Sequence, residues 1–256
     1  MTRIGPILYC GDPHGQFSHI ITAAGITNAG AVVLLGDLQP QEPLHLALAP
    51  LVELGTPIYF IHGNHDADSD EDWFRVWGSE LADRNVHGRV VTLPHGQRLA
   101  GLGGVFRETV WHPTASAARQ GAPAYRSMKE HTKSTPRKER WRGVGPPRKH
   151  WGTIYPETVD LLADVRADVL ITHEAPGYHP NGFELLDTLV QSMGAQVAVH
   201  GHHHDRLDSS ARWVAQGFKS FGVGLRGITA IDAEGQAEVI VPGECDERRC
   251  TRQGSL

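Results

Sequence analysis

Five times along the chain a short apolar run breaks directly into a turn carrying Asp, Asn or His. Ile7-Leu8-Tyr9-Cys10 runs into Gly11-Asp12-Pro13-His14-Gly15, Val32-Val33-Leu34-Leu35 into Gly36-Asp37, and Pro57-Ile58-Tyr59-Phe60-Ile61 into His62-Gly63-Asn64-His65-Asp66. Further on, Asp168-Val169-Leu170-Ile171-Thr172 ends at His173, and Gln196-Val197-Ala198-Val199-His200 enters Gly201-His202-His203-His204-Asp205. Such runs read as buried strands. In open α/β sheets the loops leaving the carboxyl ends of strands converge on one crevice, where ligands bind.

Helical segments separate these runs. Phe17–Ala24 and Glu42–Leu54, the latter with Leu44, Leu48, Leu51 and Leu54, are predicted helices, and so are Asp68–Trp77, Pro156–Leu162 and Phe183–Met193. This alternation predicts a layered α/β architecture. Trp73, Phe74 and Trp77 are expected to share one helix-docking face. Val90–Leu93, Gln97–Ala100 and Gly104–Arg107 read as a strand meander, while Arg212–Gln216, Gly227–Ile231 and Ala237–Val241 read as closing antiparallel strands. We expect one domain over residues 1–242 and a charged, frayed tail over 243–256.

The pattern breaks between about residues 112 and 150. Arg119, Arg126, Lys129, Lys133, Arg137, Lys138, Arg140, Arg142, Arg148 and Lys149 stand there against Glu130 and Glu139 alone, a local net charge of +8 in a chain whose total is −5. Sparse in apolar residues and dotted with Pro and Gly, this stretch reads as a basic surface insertion that cannot build a core by itself.

No apolar stretch approaches the ~20 residues of a membrane span, and the amino-terminal residues lack a secretory pattern, so a cytoplasmic location without membrane association is expected. The three cysteines are too few for a disulfide framework. Cys10 is expected in the core, and Cys245 and Cys250 in the tail. The sixteen histidines are the unusual entry, because several stand at predicted strand ends.

One His at a strand end is ordinarily a structural residue. Five loops each offering N or O donors are harder to explain that way, because packed carboxylates and imidazoles without a cation leave charge and polar groups uncompensated. The supply of Asp12, His14, Asp37, Asn64, His65, His173, His202 and His204 exceeds the needs of one ion. Mixed Asp, Asn and His ligands without Cys favour Mn²⁺, Fe, Zn²⁺ or Co²⁺ over Mg²⁺ or Ca²⁺. Two ions about 3.5–4 Å apart would clamp the attacking and leaving oxygens of a displacement at phosphorus.

Taken in order from residue 8 to 205, these motifs resemble those of the calcineurin-like metallophosphoesterases. The resemblance implies a four-layer sandwich of two mixed β-sheets flanked by helices. It also implies two divalent transition ions, Mn²⁺ first among the candidates. Asp12, His14 and His204 would hold the first ion, Asn64, His173 and His202 the second, and Asp37 would bridge. A metal-bound hydroxide would attack phosphorus, with His65 as general acid near the leaving oxygen and Asp66 orienting it. His203 is expected to point away, and His62 and His200 to support the site from behind. One departure is plain: where many members continue after the Gly-Asp motif with an acidic residue, Arg and Gly, this chain has Leu38-Gln39-Pro40-Gln41. No arginine phosphate clamp is identified after the Asn64-His65-Asp66 motif; Arg107, beside Glu108, is a weak candidate for one and reads more readily as a solvated strand-end charge.

The activity expected is hydrolysis of a phosphomonoester or small phosphodiester, such as a nucleotide, with the insertion as a basic lid or a passive loop. Nuclease or nucleic-acid end-processing activity is a second reading, resting on basic residues interleaved with Tyr125, Trp141 and Trp151. A non-catalytic, protein-binding scaffold is a third, which the presence of His65 and every ligand position disfavours.

Overall fold

The computed structural model describes residues 5–113 and 122–246. Its ten strands are β1 (Ile7–Cys10), β2 (Ala31–Leu34), β3 (Ile58–Phe60), β4 (Val90–Thr92), β5 (Arg98–Leu102), β6 (Val169–Thr172), β7 (Val197–His200), β8 (Lys219–Gly222), β9 (Ile228–Ile231) and β10 (Ala237–Val241). They form two five-stranded mixed sheets, ordered β10-β9-β1-β2-β3 and β4-β5-β6-β7-β8. Within the first, β1, β2 and β3 are parallel; within the second, β5 to β8 are parallel. Parallel neighbours need crossovers, supplied by α1 (Ser18–Thr27), α2 (Leu44–Ala47) and α3 (Ala49–Glu53) in the first sheet and by α5 (Met128–Ser134), α6 (Pro156–Ala163), α7 (Glu184–Met193) and α8 (Trp213–Gln216) in the second, while α4 (Asp70–Trp77) lies on the connection from one sheet to the other.

Why the strand runs are continuously apolar follows from the layering. Ile7 and Tyr9 point between the sheets with Val33, Leu35, Ile171 and Val199, whereas Leu8 and Cys10 face the helices with Ile20, Leu44 and Leu51. Across the second sheet, Ala100, Leu170 and Ala198 pack on Leu162, Leu186 and Val190 of α6 and α7. Both faces are buried, so neither tolerates polar alternation. The expected four-layer sandwich is the fold observed.

Several local expectations are corrected. The predicted meander holds only as its first hairpin: β4 pairs antiparallel with β5, but β5 then pairs parallel with β6, and Gly104–Arg107 makes only isolated bridges. Arg212–Gln216 is a helical turn rather than a strand, leaving Val214 fully open to solvent, and the strand sits at Lys219–Gly222 instead. The long helix over 42–54 is divided at Leu48 before Ala49-Pro50, because Pro50 has no N–H to donate to a preceding turn. α4 is capped by Ser69, whose hydroxyl accepts from Asp72 N.

The basic stretch holds more structure than expected. It contains α5 and short 3-10 turns, and it is fastened to α4 through aromatic side chains. Trp73 meets Trp141 and Trp151 edge to face at centroid distances of 5.8 and 5.1 Å, and Trp77 meets Trp151 at 5.9 Å. Arg148 adds an ion pair with Asp70 and donates to the carbonyls of Ala67 and Asp68. Phe74, expected on the same face, is instead half exposed. Arg119 and the tail beyond 246, with Cys250, lie outside the described residues. Among the described residues no helix is long and apolar enough to cross a membrane.

Candidate metal centre

The parallel strands of both sheets end on one side of the sandwich, and the five motifs meet there. Asp12, His14, Asp37 and His204 form one group of converging ligand atoms; Asp37, His173 and His202 form a second. Asp37 belongs to both. Asn64 joins the second group, its Oδ1 lying 3.2 Å from His173 Nε2, while Asp37 Oδ1 lies 3.4 Å from the same nitrogen. All seven expected ligands are therefore brought together.

Backbone conformation shows how much the fold commits to this arrangement. Asp12, His14, Asp37, His202 and His204 all have left-handed φ, between 37° and 69°, a region non-glycine residues rarely occupy. Strain concentrated at one cluster of polar residues marks a site whose geometry the surrounding structure enforces. Gly63 is required for close approach, since a Cβ there would collide with the Asp37 carboxylate.

Hydrogen bonds connect the loops. The backbone N–H of His202 donates to both carboxylate oxygens of Asp12 at 3.0 Å, joining the two sheets across the site. His65 N donates to Asp37 Oδ1 at 2.9 Å. Asp66, fully buried, accepts from Leu38 N, Gln39 N and Gly63 N at 2.7, 3.0 and 2.8 Å. With both oxygens engaged by backbone, Asp66 staples the β2 and β3 loops together, and burial pushes its carboxyl up to about 6. It does not orient His65, which corrects the expected pairing. The carboxylate on His65 is that of Asp68, Oδ2 to Nδ1, 2.5 Å, brought round by the 3-10 turn His65–Ala67.

The donor set fits divalent transition ions. His173 Nδ1 donates to Leu35 O at 2.8 Å, so its Nε2 is directed at Asn64 Oδ1 and Asp37 Oδ1. Three acceptors converging on one point require a cation among them. Without a metal a proton serves: burial opposes charging His173, but Asp37 and Asp12 outweigh it and raise its pKa to about 10. Conversely, burial opposes charge on Asp37, yet His173 and the donated hydrogen bonds hold it well below the ordinary carboxylate range. Asp12 is pushed up to about 7 by burial, reinforced by the charge of Asp37. In the first group, His14 Nδ1 donates to Gln39 Oε1 at 2.6 Å, leaving its Nε2 facing His204 Nε2 at 3.1 Å.

Three contributors escaped the motif reading. Gln39 fixes His14 from within the stretch that departs from the family pattern. Asp68 stands three residues after His65, a spacing that brings side chains together on one turn. Glu174 follows His173; its Oε1 accepts from Phe106 N at 3.1 Å, and its Oε2 lies 3.8 Å from His202 Nε2. The other three histidines of these motifs take partners outside the two ligand groups. His203 stacks on His179 at 4.0 Å, His200 Nε2 accepts from Tyr178 OH at 2.6 Å, and His62 Nδ1 accepts from Asn85 Nδ2 at 3.1 Å.

A sandwich of two mixed sheets with Asp, His and Asn converging at parallel strand ends defines a class. The chain belongs to the calcineurin-like phosphoesterases, whose family model matches residues 5–206. These are typically metal-dependent hydrolases that bind divalent ions at a dinuclear site. The chain is 38% identical over 230 residues to an uncharacterized protein of Haemophilus influenzae, covering 90% of this chain and 94% of that one. A shorter match, 34% identical over 87 residues, is to a UDP-2,3-diacylglucosamine hydrolase of Serratia proteamaculans and covers 28% of this chain and 36% of that enzyme. In fold the chain is similar to the protein TT1561 of Thermus thermophilus, with a TM-score of 0.59 at 17% identity, over 93% of this chain and 99% of that one.

Proposed function

We propose that the protein is a dinuclear metal-dependent phosphoesterase acting on a phosphomonoester or small phosphodiester. The observation that carries this reading is Asp37, whose carboxylate is common to both groups of ligand atoms. Asp12, His14 and His204 would hold one ion with it, and Asn64, His173 and His202 the other. When bound, such ions activate water and neutralise charge on phosphoryl oxygens.

The protein's own residues do the rest. Asp37 is held by the N–H of His65, so the bridging group and the expected acid are positioned by one loop. Asp68 raises the pKa of His65 against the opposing effect of partial burial, which keeps the ring able to donate a proton to a leaving oxygen. Gln39 Oε1 and Leu35 O fix the ring orientations of His14 and His173 by accepting a hydrogen bond from Nδ1–H, which leaves Nε2 free to face an ion.

The test is metal analysis of wild type and Asp37→Asn, alongside hydrolysis of p-nitrophenyl phosphate and its bis-ester with Mn²⁺. Wild type should bind two ions and turn over at least one ester, whereas Asp37→Asn should lose both properties. Full metal content and activity in the variant would remove the basis of the assignment.

A further inference from the structure

Asp12, His14 and His204 are bonded to a loop that none of the five motifs contains, residues 223–227 between β8 and β9. Gly11 N donates to Gly227 O at 3.1 Å, Arg226 N to Gly11 O at 3.0 Å, and Leu225 N to the carbonyl of His204 at 3.3 Å. Arg226 also reaches the β1 loop with its side chain, Nε donating to Pro13 O at 3.4 Å, between the two ligands Asp12 and His14. The arginine is in turn held from the far end of the chain. Residues 243–246, placed with the charged tail by sequence, fold back on this loop: Glu244 N donates to Leu225 O at 2.9 Å, and Arg226 Nη1 donates to both Glu244 carboxylate oxygens at 2.8 and 2.9 Å. Gly243 N closes the turn by donating to Asp246 Oδ2 at 2.9 Å, and the approach is so close that a Cβ on Gly224 would collide with that carboxylate.

Arg226 has φ 54°, in the same left-handed region as Asp12, His14 and His204. A non-glycine residue stays there only where its surroundings over-determine it, and here the bonds to Gly11, Pro13 and Glu244 do so. The ion pair is 22% exposed at Arg226 and 53% at Glu244, so it adds little to global stability. Its effect is on geometry, because one guanidinium joins the turn at 243–246 to the carbonyl that separates Asp12 from His14. The second ligand group is fastened elsewhere, His173 Nδ1 donating to Leu35 O at 2.8 Å. We propose that Arg226 is a positioning residue for the first ion, locked by Glu244, so that the turn at 243–246 sets the affinity of one ion of the pair and leaves the other alone. The proposal rests on the dinuclear reading and gives its two ions different supports.

The experiment titrates Mn²⁺ into chelator-treated wild type, Arg226→Asn, Glu244→Ala and the double variant by calorimetry. Asparagine suits the left-handed backbone but is too short to span Glu244 and Pro13 O. His14→Ala and Asn64→Ala, each lacking a ligand of one group, identify which of the two binding steps belongs to which ion. Arg226→Asn should weaken the first-ion step about 10- to 100-fold, the range for a group that supports a ligand, and change the other by less than about twofold. Glu244→Ala should do the same, and the double variant should lose no more than Arg226→Asn alone, since the two residues act as one unit. In metal-free protein, hydrogen exchange of a peptide covering residues 11–15 should quicken about threefold or more in Arg226→Asn, while one covering His173 stays unchanged. Equal weakening of both steps, no weakening of either, additive losses in the double variant, or unchanged exchange at residues 11–15 would each overturn the proposal. If wild type binds fewer than two ions, the dinuclear reading fails, and the exchange comparison still decides whether Arg226 holds the β1 loop. Should Arg226→Asn not fold, Glu244→Ala, at a half-exposed position, carries the same titration and exchange tests.

Discussion

His65 Nδ1 and Asp68 Oδ2 stand 2.5 Å apart at the mouth of the candidate metal centre, while Asp66, the nearer acid in sequence, is turned inward onto three backbone amides. The two acids therefore do different work, one holding the His65 ring and one fixing loop geometry. Asp68→Asn should lower kcat about 10-fold or more for alkyl phosphates, with a smaller loss for p-nitrophenyl phosphate, whose leaving group needs little protonation; His65→Ala should cost roughly 10²–10⁴-fold on the same alkyl esters. Metal content should stay normal in both. Equal losses on good and poor leaving groups would argue against proton donation by this pair.

Gln39 is predicted to act through His14. Gln39→Ala removes the acceptor that fixes the ring and should weaken metal binding about 10- to 100-fold, the usual range for a group supporting a ligand. Competition with a chromogenic chelator measures this directly. An unchanged affinity would mean that His14 is oriented by packing alone.

Five candidate ligands in left-handed conformations and several buried acids would make a metal-free state costly. Chelation should lower the thermal midpoint, and Mn²⁺ at about 100 times its Kd should restore roughly 2.7 kcal/mol. Differential scanning calorimetry with and without chelator provides the comparison; identical midpoints would show that the folded protein gains nothing from the ions.

The insertion is predicted to be a structural part of the site wall. Trp151 packs against Trp73 and Trp77, and a Cβ on Gly152 would press on the carbonyl of Gly63 at 2.8 Å. Trp151→Ala should cost about 3 kcal/mol in urea unfolding. A loss below a few tenths would return the segment to the status of a passive loop.

His87 supplies a pH test away from the ligands. Its Nδ1 accepts from Gly103 N at 3.0 Å, and burial lowers its pKa from 6.5 to about 4. A depressed pKa contributes stability that is full above 6.5 and disappears as pH falls towards 4. The thermal midpoint of chelated protein should drop across that interval, and less steeply in His87→Gln, whose amide oxygen can still accept. Parallel slopes would assign the acid sensitivity elsewhere.

The identities of the candidate ligands were legible because each lies immediately after an apolar run, a signal contained in a few consecutive residues. The layered sandwich was legible for the same reason. What stayed hidden were pairings between distant segments. Val90–Ala100 suggested a hairpin continuing into a third strand, yet the second neighbour of β5, beside β4, is β6 from the far side of the insertion. Alternation in Arg212–Gln216 imitated a strand, although Val214 buries nothing.

By itself the amino-acid order determined where strands stop and which polar groups those stops present, since burial on both faces permits only apolar residues and forces the polar break. Tertiary structure alone decided that Asp68 rather than Asp66 serves His65, that Gln39 holds His14, and that the basic segment docks through tryptophans. Those choices depend on which loops meet once two sheets are stacked, and local periodicity carries no record of that encounter.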